Sequence, residues 1–159
     1  MFDAFLSHDW GKDAHGRDNH ARVAQLNELL KARGVRTWFD NERMTGDIVA
    51  MMCDGVEKSA TFVSCITERY VGKVASATDD NCKAEFSHAV RRRTTRNILP
   101  LVMEERMKAP SSWSGPVGMR LGDVLYIKGW DDDLTAAADM LVVEIAKRFP
   151  AIATRLTVR

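Results

Sequence analysis

The sequence contains few cysteines and almost no net charge, and each shortage excludes a class of protein. Its three cysteines, Cys53, Cys65 and Cys82, are an odd number and lack the spacing of metal ligands. A disulfide framework is therefore not expected, and a reducing compartment, the cytoplasm, fits best. The formal net charge is only +1, so no global field would recruit nucleic acid or an anionic membrane.

Long apolar runs and targeting signals are also missing. No apolar stretch reaches the roughly 20 residues that a membrane span requires. The N-terminus lacks the regions of a secretory signal, and its first residues already have strand character. This indicates either a domain at the start of a protein or one cut from a longer chain. What is present is 159 residues, of which 45% are hydrophobic and 28% charged, enough for one globular domain with its own core.

Strand-like and helix-like segments alternate along the chain. Short apolar or β-branched segments predict five strands, at residues 2–7, 35–39, 60–66, 98–103 and 124–127. Apolar residues at helical spacing predict helices between and after them, at residues 19–33, 47–58, 79–93 and 131–149. Residues 67–78 are predicted to be irregular, and residues 104–122 are predicted to be mostly loop with one short turn of helix. This order predicts a flavodoxin-like, three-layer α/β fold with a five-stranded parallel sheet.

In open parallel sheets, ligands bind outside the carboxyl ends of the strands, where the strand order reverses. That rule directs attention to residues 7–15, 40–46 and 67–81. Pro100 lies within the fourth predicted strand, and a proline cannot donate to a strand ladder. It therefore predicts an edge position or a bulge there.

Six motifs follow one another along the chain: FDAFLSH at 2–8, GVRTWFD at 34–40, a glycine-containing loop at 41–48, KSATFVS at 58–64, NCKAEF at 81–86 and NILPLV at 97–102. Together they resemble, in order, the motifs of Toll/interleukin-1 receptor (TIR) domains. The resemblance covers essentially the whole chain and implies the TIR fold. We expect the domain to span residues 1–150, followed by a C-terminal tail at 151–159.

The resemblance implies that Glu85 is the family's catalytic glutamate. In the enzymatic members, the bond between nicotinamide and ribose in NAD is broken. This generates an oxocarbenium-like ribosyl cation, which a fixed carboxylate can stabilise. Nicotinamide is a good leaving group, so a general acid is not required. The alternative is that an acid in the first turn of a helix only interacts favourably with the helix dipole.

Four residues leave the first predicted strand at the same rim: Ser7, His8, Asp9 and Trp10. Their hydroxyl, imidazole and indole groups could hold a ribose, a phosphate or a base. The alternative is that they only cap the first helix. Cys82, close to Glu85, is a further candidate because a helix start can stabilise a thiolate, although a small packing cysteine is the simpler interpretation.

Three apolar residues complete the candidate nucleotide site. Trp38 is included, although an aromatic residue in a strand is also typical of core or interface packing. Met44 and Ile48 flank Gly46 in the loop that, by resemblance, closes over the pocket or docks onto a neighbouring TIR domain. Exposed apolar residues on such a loop suit a partner interface.

Two hypotheses remain open. The first is an NAD(P)+ nucleosidase, acting in signalling or defence and activated by self-association, for which the nucleotide is the substrate and no cofactor or metal is expected. The second is a non-enzymatic adaptor that assembles with other TIR domains through the 41–48 loop. Neither hypothesis involves a membrane or nucleic acid as partner.

Overall fold

The computed structural model describes residues 1–39, 47–92 and 95–157. Five strands form one sheet, and every neighbouring pair is parallel. In chain order they are β1 (Phe2–Ser7), β2 (Thr37–Trp38), β3 (Ser59–Ile66), β4 (Ile98–Val102) and β5 (Ile127–Lys128), arranged in the order β2-β1-β3-β4-β5. The predicted five-stranded parallel sheet is confirmed.

Helices cover both faces of the sheet. They are α1 (Asn19–Ala32), α2 (Ile48–Glu57), α3 (Glu68–Val74), α4 (Asn81–Arg92), α5 (Gly115–Leu121), α6 (Thr135–Arg148) and α7 (Pro150–Ala153). Short 3-10 helices occupy Thr95–Asn97, Glu105–Met107 and Pro110–Ser112. One hydrophobic core joins the sheet to α1 and α6, and a second joins it to α2, α3, α4 and α5. The three-layer architecture is therefore confirmed.

Local sequence signals explain where the first helices begin. Asp18 precedes α1, and its carboxylate accepts a hydrogen bond from the Ala21 amide at 2.9 Å. Asp47 precedes α2 and accepts from the Ala50 amide in the same way, at 3.2 Å. Each carboxylate satisfies an amide that has no partner within its helix. Among the helices of the described ranges, none is long and apolar enough to cross a membrane.

The residues after α6 fold back onto the domain. Arg155 reaches Asp3 on β1, with 2.8 Å between guanidinium Nη2 and carboxylate Oδ1. The Thr157 amide donates to the Arg33 carbonyl at 2.9 Å, and Leu156 packs against the core that contains α1 and α6. Residues 150–157 are therefore in contact with the domain, while the expected boundary at residue 150 stays a prediction.

Two stretches that were predicted to be mostly irregular contain helices. The prediction for residues 67–78 was wrong, and in residues 104–122 the helix is longer than the one short turn that was predicted. The first is α3, where Thr67 accepts a hydrogen bond from the Tyr70 amide at 3.1 Å and caps the helix. Tyr70, Val71 and Val74 form its buried stripe. Seven residues with one apolar stripe give a weak periodic signal, because the helix completes only two turns. The second is α5, which lies between residues 104 and 122.

The contact between Gly55 on α2 and Trp38 on β2 provides a test of packing. A Cβ atom at Gly55 would lie 2.5 Å from the Trp38 ring, and that ring is stacked on Phe5. We expect Gly55→Ala to lower the free energy of unfolding by about 1–3 kcal/mol because of overpacking. Urea denaturation measures this change.

Gly72 on α3 is the matched control, because a Cβ added there would meet nothing within 4 Å. Gly72→Ala should raise the free energy of unfolding by up to about 1 kcal/mol through helix propensity. If both alanine variants were stabilised, the close packing between α2 and Trp38 would be disproved.

Candidate functional site

A cavity of about 510 Å³ opens beside the carboxyl end of β1. Strands β1 and β3 are neighbours, but the chain leaves β1 toward α1 on one face and leaves β3 toward α3 on the other. This is the point at which the strand order reverses, where ligands bind in such sheets. The lining residues are His8, Trp10, Lys73, Asp79, Asp80, Asn81, Cys82 and Glu85.

Glu85 is held at the inner wall of this cavity and does not face bulk solvent. It is only 4% exposed, and the Ser7 hydroxyl donates to its Oε2 at 2.6 Å. The helical spacing of α4 explains this orientation, because the same face buries Cys82, Phe86 and Ala89. A carboxylate fixed in this way can stabilise positive charge that develops in the cavity.

Asp9 lies in the loop that follows β1, and its buried carboxylate is surrounded by four donors. Lys73 Nζ and Arg69 Nε each lie 2.7 Å from one of its oxygens. The Gly11 amide donates at 2.9 Å and the Asn19 side chain at 3.2 Å. Burial raises the pKa of Asp9, but the hydrogen bonds from Lys73, Arg69 and Gly11 outweigh it and lower the pKa to about 2. The ionised carboxylate therefore orders the loop.

His8 is neutral and joins an aromatic stack. Burial lowers the pKa of His8 to about 4. Its Nδ1 lies 3.2 Å from the Leu6 carbonyl, which can only accept, so Nδ1 carries the hydrogen. Its Nε2 consequently accepts from Nδ1 of His20 at 2.7 Å. Trp10 stacks on His20 with 3.6 Å between ring centroids and remains 49% exposed, so the indole is presented to the cavity.

Cys82 connects α4 to the same loop. Its thiol donates to the His8 carbonyl at 3.3 Å. Burial raises the pKa of Cys82, and the nearby carboxylates of Glu85 and Asp80 raise it further. The side chain therefore remains a thiol at neutral pH, which favours the interpretation of a packing cysteine over that of a thiolate.

The structure brings Ser7, His8, Asp9, Trp10, Cys82 and Glu85 together. Two other candidates, Trp38 and Ile48, are not part of the cavity lining. Trp38 is buried in the core, stacked on Phe5 with 4.6 Å between centroids. Ile48 is exposed at the first position of α2. Met44 lies outside the described residues. Any ligand-binding role for these three residues stays a prediction.

Sequence reasoning missed two residues on α3, Tyr70 and Lys73. The Tyr70 hydroxyl lies 2.9 Å from the Ser7 hydroxyl, and Lys73 pairs with Asp9 at the cavity wall. The threonine three positions before Tyr70 is a capping signal that could have identified this helix. Over residues 1–39, 47–92 and 95–157, no group of three side chains has the composition and geometry to hold a metal ion.

The doubly wound sheet, with its cavity where the strand order reverses, defines a three-layer α/β domain of the flavodoxin-like class. The family model described as "TIR domain" matches residues 5–142, so the chain belongs to the TIR domain family. A similar solved structure is the TIR domain of the Toll-related receptor TRR-2 from Hydra magnipapillata. The TM-score is 0.55 at 15% sequence identity, covering 96% of this chain and 99% of that chain. No curated protein sequence gives a significant match.

Proposed function

We propose that this TIR domain cleaves NAD+ or NADP+ at the bond between nicotinamide and ribose, and that it acts in signalling or defence. In hydrolysis, the bond from the ribose C1′ to the ring nitrogen breaks, and nicotinamide leaves with the electron pair. Water then adds to C1′ and loses a proton, giving ADP-ribose; attack by another atom of the nucleotide gives a cyclised isomer. The supporting observation is the buried Glu85 carboxylate in the cavity wall, fixed by Ser7.

The role assigned to Glu85 is electrostatic. The ribosyl centre gains positive charge as nicotinamide departs, so a carboxylate that is already oriented stabilises the transition state more than the ground state. Its burial favours this role, because charges interact more strongly where water is excluded. Asp79 and Asp80 also line the cavity, and their field attracts the cationic nicotinamide ring of the substrate.

Trp10 supplies a surface on which a base can stack. Its indole is supported by His20 and lines the cavity. Stacking of a base on an aromatic side chain contributes about 1–3 kcal/mol. We therefore expect Trp10→Ala to raise KM about tenfold or more with a smaller change in kcat, whereas Trp10→Phe retains most of the affinity. Steady-state kinetics of nicotinamide release measure both parameters, and an unchanged KM for Trp10→Ala would exclude Trp10 from the site.

The direct test is to incubate the purified domain with NAD+ and quantify free nicotinamide by liquid chromatography. Protein concentration should be varied widely, and one series should be run on a crowding surface, because we expect self-association to activate the enzyme. The rate per protein molecule should rise with concentration, and Glu85→Gln should remove it at equal concentration. Absence of nicotinamide release from the wild type under every condition would overturn the proposed activity.

A specific observation also favours the second candidate, an adaptor that only assembles with other TIR domains. Ile48 and Val49 are exposed apolar residues at the start of α2, and exposed apolar clusters often mark partner surfaces. Residues 41–46 of the loop at 41–48, the predicted contact with partner domains, lie outside the described residues. Analytical ultracentrifugation of the assay samples separates the two candidates: association without any nicotinamide release is the result expected of an adaptor.

A further inference from the structure

We propose that Tyr70 is a positioning residue for Glu85. The Tyr70 hydroxyl donates a hydrogen bond to the Ser7 hydroxyl, and Ser7 donates its own single hydroxyl hydrogen to the Glu85 carboxylate. The inference rests on the proposed function, in which Glu85 acts on the substrate. Tyr70 itself is absent from the cavity lining and acts only through Ser7.

Three elements bring the side chains of Tyr70, Ser7 and Glu85 together, and we call this chain of hydrogen bonds the relay. Ser7 ends β1, Tyr70 lies on α3 and Glu85 lies on α4. The Tyr70 and Ser7 hydroxyl oxygens are 2.9 Å apart, and Ser7 Oγ is 2.6 Å from Glu85 Oε2. Ser7 and Tyr70 are completely buried. Both distances are those of good O–H···O hydrogen bonds, and burial strengthens each of them electrostatically.

The hydrogens can be assigned by counting donors. Ser7 Oγ donates its one hydrogen to Glu85 Oε2, as the ionised carboxylate required by the proposed function demands, because a carboxylate only accepts hydrogen bonds. Ser7 Oγ then offers only lone pairs toward Tyr70, so the Tyr70 hydroxyl is the donor between them. The buried Ser64 hydroxyl, which also interacts with Tyr70, can then act only as a donor to the Tyr70 oxygen. Tyr70 keeps its hydrogen at neutral pH, because burial raises its pKa well above the usual value.

Loss of the Tyr70 hydroxyl should weaken the hold on Glu85 without altering the cavity wall. Ser7 Oγ would lose its donor, and its hydrogen bond to Glu85 would lose the polarisation that a second bond provides. A hydrogen bond of this kind corresponds to a change in rate of about three- to tenfold. We expect Tyr70→Phe to lower kcat by that factor and to leave KM unchanged. The acidic limb of the pH–rate profile should move to higher pH, because the ionised form of Glu85 loses part of its stabilisation.

A double-mutant cycle tests whether Tyr70 acts through Ser7. The four proteins are wild type, Tyr70→Phe, Ser7→Ala and the double variant, each assayed for nicotinamide release from NAD+. Tyr70→Phe should lower kcat in the wild-type background and have no further effect in the Ser7→Ala background. Equal losses in both backgrounds, or no loss in either, would refute the relay. Tyr126→Phe is the matched control, since Tyr126 is half-buried against Trp113 and Trp130.

Two further measurements keep the proposal testable if a variant folds poorly or the domain is inactive. Incorporation of 3-fluorotyrosine at position 70 retains the ring and makes the hydroxyl a stronger donor, so the acidic limb should move to lower pH. Proton NMR should show a slowly exchanging, downfield hydroxyl resonance in the wild type that is missing from Tyr70→Phe. A wild type that shows this resonance but releases no nicotinamide contradicts the proposed function alone, and active protein without it contradicts the relay alone.

Discussion

Glu85→Gln is expected to lower kcat for NAD+ cleavage by about 10²–10³-fold, the range seen when one preorganised electrostatic group is removed from an active site. Glutamine has nearly the same shape, and its amide oxygen can still accept the hydrogen bond from Ser7. What it lacks is the negative charge that opposes the ribosyl cation. KM should change little, because the loss falls on the transition state. Steady-state kinetics with the folded state checked by circular dichroism measure both quantities.

Two further variants separate charge from position. Glu85→Asp keeps the charge but withdraws it by one methylene from Ser7 and from the cavity, so its kcat should fall between those of the wild type and Glu85→Gln. Glu28→Gln, which removes an exposed acid from α1, should have wild-type kcat. Activity of Glu85→Gln within threefold of the wild type would remove Glu85 from the chemistry.

The sheet could be predicted because it depends on local periodicity. Half of the eight residues that line the cavity, namely His8, Trp10, Cys82 and Glu85, could be predicted from the strand rim and the family resemblance. Alternation of strands and helices indicates a parallel sheet, and residues that leave β1 must lie at its carboxyl rim. Glu85 follows the same logic, because it shares a helix face with Phe86 and Ala89. Its place in the wall of the cavity is therefore a consequence of spacing along α4, while its chemical role rests on the proposal.

Contacts between distant segments could not be predicted. Tyr70 and Ser7 are separated by 63 positions, and Lys73 meets Asp9 only after α3 has packed beside β1. No local pattern encodes such pairs, and α3 itself is too short for a strong periodic signal. Trp38 illustrates the opposite ambiguity: an aromatic residue near a rim can serve a site or a core, and here Phe5 and Gly55 enclose it.

Pro100 was predicted to lie at a sheet edge or a bulge, because a proline has no amide hydrogen to donate to a neighbouring strand. β4 lies inside the sheet, between β3 and β5, rather than at an edge. β5, however, pairs only with Leu101 and Val102, so β4 has no strand partner on that side at Pro100. The missing amide donor is tolerated because β4 is locally an edge there.

Asp9→Asn is expected to lower the free energy of unfolding at pH 7 by about 2–3 kcal/mol. Asparagine replaces one acceptor oxygen with an amide donor, which would face Lys73 or Arg69 and repel it. Removing one partner of a fully buried ion pair typically costs about 3–5 kcal/mol. The cost should be smaller here, because the Arg69 and Lys73 side chains are 51% and 34% exposed and can regain water.

The pH dependence gives this prediction a distinctive form. The pKa of Asp9 is about 2 in the folded protein, below the usual 3.8, so its ionised form is favoured by folding. That stabilisation, about 2 kcal/mol, is fully present above about pH 5 and is lost as the pH falls through 3.8 toward 2. The difference in stability between wild type and Asp9→Asn should therefore shrink over this window.

Urea denaturation of both proteins at pH 7, 5 and 3 measures the difference directly. Asp132→Asn is the control, because its carboxylate is 92% exposed although it pairs with Arg17, and surface pairs contribute at most about 1 kcal/mol. A difference between wild type and Asp9→Asn that stays constant from pH 7 to pH 3 would mean that Asp9 is not the charged centre of this loop. Because Asp9 orders the segment that carries Trp10, nucleotide affinity should fall together with stability at neutral pH, whereas Asp132→Asn should alter neither.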